Sequence, residues 1–393
     1  MKIWCLSRAA AWVMVLFGLA LLAGACTPQA GPLPTPTRRP SGPGVMLGNQ
    51  PLGTPGASQP APQSADTPIP LARVGPDSYP ANVNPLTGLP VPDAAVLNRP
   101  PLAIKVSNDP LARPQSGLSF ADLVYEHYAE GGVTRYTAIF YSQSAQQVGS
   151  VRSGRLLDLE IVPMYDAIYT ASGFSDGVLQ RMQQASWANR NFSPPFGYSE
   201  PYLVRINDPN IAYEHTLFAV PDALWALAQQ QGVGQPPDLT PGLLFDPALP
   251  PSGTPAGKIT INYGPETSKV YWEYNPTAGN YLRWVGGQPD IDKLTGQQLA
   301  FENVVAIAAM HVDTDILEDT VAGGHWSIEI QLWGEGPASL FRDGQRFEGR
   351  WRRTSPEEMI TFTDLSGNPL PLRNGQTWFE VVPVGFDQLF VEP

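Results

Sequence analysis

Two arginines before an apolar run are the first residues of this sequence that could do chemistry. Arg152 and Arg155 lie three residues apart, and a helix is predicted to begin near Ser153 and to end by Pro163. The two guanidinium groups would then share one face near the N-terminus of that helix. Cations there oppose the helix macrodipole, and free backbone N–H groups at this end also favour an anion. The spacing therefore predicts a site for a phosphate, carboxylate or sulfate group.

Other polar residues lie between the apolar segments of the same region. The predicted ligand-binding set is Arg113, Glu126, Glu130, Arg135, Arg152, Ser153 and Arg155. An alternative interpretation is that the arginines pair with carboxylates inside the protein, because such networks are common in ordinary cores and rims. The candidate structural partners are Glu126, Glu130, Asp158 and Glu160.

A second constellation would support serine hydrolysis. Residues 173–177 read Gly-Phe-Ser-Asp-Gly, and this G-x-S-x-G pattern lies between a predicted strand and a predicted helix, as in a nucleophile elbow. Ser175, Asp208 and His215 would then be the nucleophile, the acid and the base. Only 40 residues separate Ser175 from His215, which leaves little room for the strands that position such groups. The alternative is a glycine-rich turn in which Ser175 caps the helix.

The histidines argue against a metal site. The spacing of His127, His215, His311 and His325 matches no common metal-ligand pattern. The run His311-Val-Asp313-Thr-Asp315 offers oxygen ligands, but it lacks the glycine of an EF-hand loop. We therefore predict neither a metal nor a cofactor.

The elements that must position these residues fall into two predicted domains. Residues 83–231 mix strands with helices, which predicts a mixed α/β (α+β) domain, and residues 232–255 read as a linker. Residues 256–393 read as short strands, which predicts a mainly-β domain, a sandwich or a barrel. The aromatic residues of this second domain could stack on sugars, but their alternation along strands is more typical of a core.

The N-terminus predicts export and lipid attachment over residues 1–26. Lys2 and Arg8 precede an apolar run that ends in Leu-Leu-Ala-Gly-Ala before Cys26, which resembles a bacterial lipobox. A lipid on Cys26 would anchor the protein to a membrane on the extracytoplasmic side. Residues 27–82 are rich in Pro, Gly and Ser, which predicts a disordered tether. The remaining cysteine, Cys5, lies in the signal, so no disulfide is predicted.

The net charge excludes two classes of partner. At −12 the chain lacks the basic face with which nucleic-acid-binding proteins neutralise phosphates. The same charge disfavours electrostatic docking on an anionic membrane surface. The membrane contact that remains is the N-terminal lipid.

Six motifs carry a resemblance to the YerB-like bacterial lipoproteins. They are Asn84-Pro-Leu-Thr-Gly-Leu-Pro90, Arg113-Pro-Gln-Ser-Gly-Leu118, Ala121-Asp-Leu-Val-Tyr-Glu126, Glu130-Gly-Gly-Val-Thr-Arg135, Val148-Gly-Ser-Val-Arg-Ser-Gly-Arg155 and Tyr165-Asp-Ala-Ile-Tyr169. The resemblance covers residue 83 to the end of the chain. It implies an extracytoplasmic lipoprotein with two domains of unknown function, and it implies no reaction.

Two functional hypotheses follow. The first is a non-catalytic binding or scaffold module at the cell envelope, with a cell-wall glycan or an envelope protein as its ligand. The second is a serine hydrolase that uses Ser175. A loss of ligand binding in the Arg152→Ala, Arg155→Ala double variant would favour the first, and covalent labelling of Ser175 would favour the second.

Overall fold

A computed structural model describes residues 71–320 and 323–393. The predicted signal, Cys26 and the predicted tether up to residue 70 lie outside these residues. The described residues belong to one compact unit. They contain three α-helices, which are α1 (Asp158–Met164), α2 (Asp176–Gln184) and α3 (Pro221–Gln230).

The described chain also contains twenty strands. They are β1 (Leu102–Ser107), β2 (Leu123–Tyr128), β3 (Thr134–Phe140), β4 (Val148–Gly149), β5 (Ile168–Thr170), β6 (Leu203–Arg205), β7 (Leu217–Ala219), β8 (Thr254–Pro255), β9 (Lys258–Asn262), β10 (Lys269–Asn275), β11 (Asn280–Val285), β12 (Gln288–Pro289), β13 (Ala300–Phe301), β14 (Asn303–Asp319), β15 (His325–Gln331), β16 (Gly334–Arg342), β17 (Gln345–Arg353), β18 (Thr361–Asp364), β19 (Thr377–Pro383) and β20 (Leu389–Glu392).

The distribution of these elements confirms the predicted fold class. The three α-helices of the described chain all precede residue 231, and the part that follows is built mainly from strands. The two parts share one eleven-stranded sheet in the order β18-β17-β16-β14-β19-β2-β3-β1-β5, with β15 paired to β14 and β8 to β17. The join is the parallel pair β19 and β2. A six-stranded sheet, with β9, β10 and β11 in its middle, and a small sheet of β4, β6 and β7 complete the fold.

The large sheet has a hydrophobic core on each of its faces. One core contains Ile161 of α1 and Val178 of α2, and the other contains Leu224 of α3 and Trp272 of β10. The central strands are therefore buried on both sides, which explains why β1 is buried at every position instead of alternating. A polar side chain on one of these strands must find its partners inside the protein.

The structure describes the last part of the predicted tether, residues 71–82, and the predicted linker, residues 232–255. The backbone of Val74 forms a two-way pair with Phe245, and the Tyr79 hydroxyl donates to the carbonyl of Leu243. Leu239, Leu243 and Phe245 are buried in the core. Residues 71–82 and much of 232–255 are thus packed against each other, because scattered apolar residues within these Pro-rich stretches have a hydrophobic surface to cover.

The strand β14 extends beyond its neighbours β16 and β19 and forms a projecting hairpin with β15. Residues 303–307 pair with β16 and residues 303–309 with β19, whereas residues 310–319 pair with β15 alone. We call residues 310–319 with 325–331 the hairpin arm. Ile316 on its inner side packs against the core and lies over Gly177 at the start of α2.

Candidate functional site

Arg155 is held inside the protein by two carboxylates from distant parts of the chain. Its Nε donates to both Glu130 carboxylate oxygens at 2.8 Å, and Nη2 also contacts Glu130. Its Nη1 lies 3.4 Å from Glu318 Oε2 on the hairpin arm. All three side chains are at least nine-tenths buried. Internal pairing, the alternative interpretation, therefore applies to Arg155, and Glu130 is the partner that the sequence offered.

Two further arginines adjoin this pair, and only one of them has a partner. Arg135 Nη1 donates to the backbone carbonyl of Ser153 at 2.8 Å. Burial, followed by the neighbouring charge of Arg155, lowers the pKa of Arg135 to about 9, and Arg152 adds to this effect. Arg152 makes no side-chain hydrogen bond or ion pair with any described residue. The arginine cluster is Glu130, Arg135, Arg152, Ser153, Arg155 and Glu318.

The helix predicted to begin near Ser153 begins instead at Asp158. The Arg152 backbone N–H donates to Lys105, and its carbonyl accepts from Ser172, so the chain is held extended between two neighbours. Asp158 Oδ2 then accepts from the Arg155 N–H at 2.7 Å, just before α1. The prediction that Arg152 and Arg155 sit at a helix N-terminus is wrong, because tertiary backbone pairing keeps this segment out of the helix.

The G-x-S-x-G turn lies next to the arginine cluster. As predicted, it joins a strand to a helix, and Gly173 pairs through its carbonyl with the N–H of Gly154. A cavity of about 740 Å³ is lined by Ser175, Asp176, Gly177 and residues 315–320. Ser175 Oγ is buried and has no hydrogen-bond partner among the described residues. Ser175 therefore shares this cavity with Glu318 of the cluster.

The other two residues of the candidate triad make no contact that would activate Ser175. Asp208 accepts hydrogen bonds from its neighbour Asn210, at 2.9 Å from the backbone N–H. His215 is buried in a short turn before β7, and its Nδ1 has no partner within the described chain. No hydrogen bond links Ser175, Asp208 and His215 among the described residues. The structure thus provides the turn without the acid–base relay.

Arg113 and Glu126 belong to a different group of polar residues. Glu126 accepts from Asn108 at 3.1 Å, from Thr134 at 2.6 Å and from Arg283 Nη2 at 2.6 Å. Arg113 donates to Asn108 through Nε at 3.0 Å. Glu126 is fully buried beneath the six-stranded sheet, so these residues of the predicted set lie on the opposite face of the large sheet from the arginine cluster.

This second group contains charged residues that the sequence analysis missed. Arg283 pairs with Asp290 as well as Glu126, and its guanidinium carbon lies 4.4 Å from the ring centroid of Trp378. Glu380 accepts from Trp272 Nε1 at 2.8 Å. A charged residue inside the apolar run 378–382 was the signal that could have revealed it. The interior network is Asn108, Arg113, Glu126, Thr134, Tyr263, Trp272, Arg283, Asp290 and Glu380.

A third group, centred on Lys105, is fully satisfied. Lys105 Nζ lies 2.6 Å from His127 Nε2, 2.9 Å from Thr137 Oγ1 and 2.9 Å from Asp158 Oδ1. Burial lowers the pKa of Lys105 to about 8, an effect that Asp158 opposes, and burial also keeps His127 neutral by lowering its pKa. All three N–H donors of the Lys105 ammonium group have a partner, which indicates a structural role beneath α1.

No group of three potential metal ligands exists among residues 71–320 and 323–393. The run at His311 illustrates this, because Nδ1 of the His311 ring donates to the carbonyl oxygen of Ala309 at 3.0 Å. The prediction of no metal and no cofactor stays a prediction.

Comparison with known proteins identifies the family. The family "Protein of unknown function (DUF3048)" matches this chain. Its N-terminal domain matches residues 86–234, and its C-terminal domain matches residues 259–379. The chain is 31% identical over 303 residues to "Putative lipoprotein YerB" of Bacillus subtilis (strain 168), covering 76% of this chain and 86% of that protein. It belongs to the YerB-like family.

The fold agrees with this assignment. The crystal structure of the YerB protein from Bacillus subtilis superimposes with a TM-score of 0.66 at 30% identity, covering 79% of this chain and 99% of that one. The resemblance read from the six motifs is confirmed, as are the two family domains of unknown function. Within the described residues, no helix has both the length and the apolar character needed to span a membrane. The YerB-like family assignment itself provides no reaction and no ligand.

Proposed function

We propose that this YerB-like protein is a lipid-anchored, extracytoplasmic binding module that captures an anionic glycan of the cell envelope at the arginine cluster. One observation carries the proposal. The cluster contains three arginines and two carboxylates, and the surplus guanidinium, that of Arg152, has no partner among the described residues. The proposal assigns no catalytic step.

The electrostatic cost of the cluster supports an anionic ligand. The pKa of Arg135 is lowered to about 9 chiefly by burial and by Arg155, so bringing these cations together opposes their ionisation. Burial also raises the pKa of Glu318, which weakens the compensation that this carboxylate can give. A ligand anion beside Arg152 would relieve this repulsion. Residues with perturbed pKa values are common at binding sites.

The surroundings support a polyhydroxylated ligand. The neighbouring cavity is lined by Ser175, whose buried hydroxyl has no partner among the described residues, and by the exposed residues Asp176 and Asp315. Carboxylates repel a dense polyanion but accept hydrogen bonds from sugar hydroxyls. A glycan with hydroxyls along its length and an occasional acidic group matches both features.

The envelope location is supported by two features. The sequence places a lipobox-like cysteine, Cys26, at the end of an export signal. The Bacillus subtilis relative is named a lipoprotein. A lipid at Cys26 followed by a Pro-rich tether would hold the binding module away from the membrane and within reach of wall polymers.

The experiment is co-sedimentation of residues 27–393 with purified peptidoglycan, with and without its attached anionic polymers. We expect pelleting that Arg152→Ala abolishes while the fold survives. Arg350→Ala is the matched control, because Arg350 is 57% exposed and its ion pair with Glu335 is long, at 3.7 Å. Arg155→Ala is unsuitable alone, since it would remove the cation that forms the ion pairs with the buried Glu130 and Glu318. Equal pelleting of wild type and Arg152→Ala would reject the site.

A further inference from the structure

The outer face of the six-stranded sheet carries a row of side chains that the proposed function does not use. Phe390, Thr260, Tyr271 and Trp284 are successive register partners on β20, β9, β10 and β11. Directly opposed residues of antiparallel strands share a face, so these four side chains lie in one row. Trp272 and its neighbours on the other face pack into the core.

A groove of about 470 Å³ lies along this row. Its lining includes Thr260, Tyr271 and Phe390. The Tyr271 ring stacks on Trp284 with centroids 5.3 Å apart and an interplanar angle of 11°, which braces it. Phe390 is 55% exposed on the strand at the other side of β9. We call this site the aromatic groove. Thr260 on β9 forms its floor, and Phe390 and Tyr271 lie on the two flanking strands.

The charges of the groove are balanced. Its lining contains the cations Lys258 and Lys269 and the anions Glu266 and Glu392. Lys258 Nζ lies 4.8 Å from the Tyr271 ring centroid, and Lys269 Nζ lies 3.7 Å from Glu266. A polyanion would gain no net attraction here. An uncharged ligand rich in hydroxyl groups would find both donors and acceptors beside the rings.

We propose that the aromatic groove binds an uncharged carbohydrate chain, with sugar rings stacked against Tyr271 and Phe390. The apolar face of a sugar ring matches an aromatic face, and the hydroxyls at its edge match the mixed polar rim. The volume is within the roughly 300–1,000 Å³ of ordinary ligand sites. The row from Phe390 to Trp284 spans three strand spacings, on the order of 14 Å, which accommodates several rings in succession.

This site is independent of the arginine cluster, because none of the cluster residues lines the groove. The two proposals also differ in ligand charge. The arginine cluster requires an acidic group, whereas the aromatic groove requires none.

The test is calorimetric titration of residues 27–393, which contain the whole compact unit, with an uncharged N-acetylglucosamine oligosaccharide. We expect Tyr271→Ala and Phe390→Ala each to weaken binding about ten-fold, in keeping with the loss of one aromatic contact. Phe390→Trp should retain binding. The matched control is Tyr213→Ala, which removes an exposed aromatic residue that does not line the groove and that has Arg205 3.7 Å over its ring.

Three results would overturn the inference. They are no heat of binding with wild type, unchanged affinity in Phe390→Ala, and an equal loss in Tyr213→Ala. Phe390→Ala is decisive even where Tyr271→Ala unsettles the sheet, because Phe390 is largely exposed. Arg152→Ala should leave this affinity unchanged, so that failure of the arginine cluster and failure of the groove are read separately.

Discussion

Glu126 and Glu380 lie directly opposite each other on the adjacent parallel strands β2 and β19, and both are fully buried. Glu126 is paired with Arg283, whereas Glu380 accepts hydrogen bonds from the uncharged groups of Tyr263 and Trp272. Burial, followed by the charge of Glu126, raises the pKa of Glu380 to about 8. Glu380 is therefore protonated at neutral pH, which avoids two facing carboxylate charges where the two family domains join.

This protonation predicts a stability that falls as the pH rises. Below the ordinary pKa of 4.5, Glu380 holds its proton in both the folded and the unfolded state. Between about 4.5 and 8 only the folded state keeps it, so the free energy of unfolding should fall by about 1.4 kcal/mol per pH unit from this group. Glu380→Gln mimics the protonated form and should remove that slope. The measurement is urea unfolding at several pH values from 5 to about 9.

Glu348→Gln is the control for this series, since Glu348 is 59% exposed. It should keep the wild-type slope. A Glu380→Gln protein with the same pH dependence as wild type would show that Glu380 is ionised in the folded state at neutral pH.

Removal of Arg283 should be strongly destabilising. Arg283 is fully buried and pairs with Glu126 of the N-terminal family domain and Asp290 of the C-terminal one. Arg283→Met would leave two buried carboxylates without their cation, a change that costs about 3–5 kcal/mol. Adding Glu126→Gln should recover part of this loss, since one of the two carboxylates is then uncharged. Urea unfolding of the single and double variants measures both effects.

An exposed arginine provides the comparison. Arg350→Met should change the unfolding free energy by less than about 1 kcal/mol, because surface pairs such as Arg350 with Glu335 contribute little. Equal losses of unfolding free energy in the Arg283 and Arg350 variants would contradict the stabilising role given to Arg283 in the interior network.

Ser175 should not react as a hydrolase nucleophile. Its Oγ has no hydrogen-bond partner in the described chain, and neither Asp208 nor His215 is bonded to it. A serine without an adjacent base has an ordinary, weakly nucleophilic hydroxyl. We expect no covalent labelling of residues 27–393 by a fluorophosphonate probe under conditions that label a known serine hydrolase. Labelling that Ser175→Ala removes would revive the hydrolase hypothesis.

Much of the fold could be predicted because local signals and tertiary packing agree. The aromatic and β-branched residues of 123–128 indicate the strand β2 (Leu123–Tyr128), and a proline in the first turn with apolar residues at helical spacing indicates the helix α3 (Pro221–Gln230). The pair Asp343-Gly344 is typical of a tight hairpin turn, and both residues have the positive φ that such a turn requires, +52° and +71°. The shared sheet could not be predicted, since nothing in the local pattern of Trp378–Val382 specifies β2 as its neighbour.

The candidate site could be predicted only in part, because local sequence patterns do not specify which distant segments become neighbours. Glu130, Arg135, Ser153 and Arg155 do meet, because they lie at neighbouring strand ends and in the loop before α1. Glu318 could not be assigned to them, since it lies more than 150 residues away and reaches the cluster only through the projecting hairpin arm. Glu126 was placed in the wrong group because adjacent strand residues point to opposite faces of a sheet, and one position decides which partners are available.

The two glycines of the G-x-S-x-G turn should respond differently to substitution by alanine. A Cβ on Gly177 would lie 2.6 Å from Cγ2 of Ile316, the residue that seats the hairpin arm on α2, whereas a Cβ on Gly173 would meet nothing within 4 Å. Gly177→Ala should destabilise the protein by about 1–3 kcal/mol through overpacking, despite the better helix propensity of alanine. It should also speed hydrogen exchange in β15, because the hairpin arm loses part of its packing against α2. Gly173→Ala should be close to neutral in both measurements. Equal effects of the two variants would contradict the role given to the contact between Gly177 and Ile316.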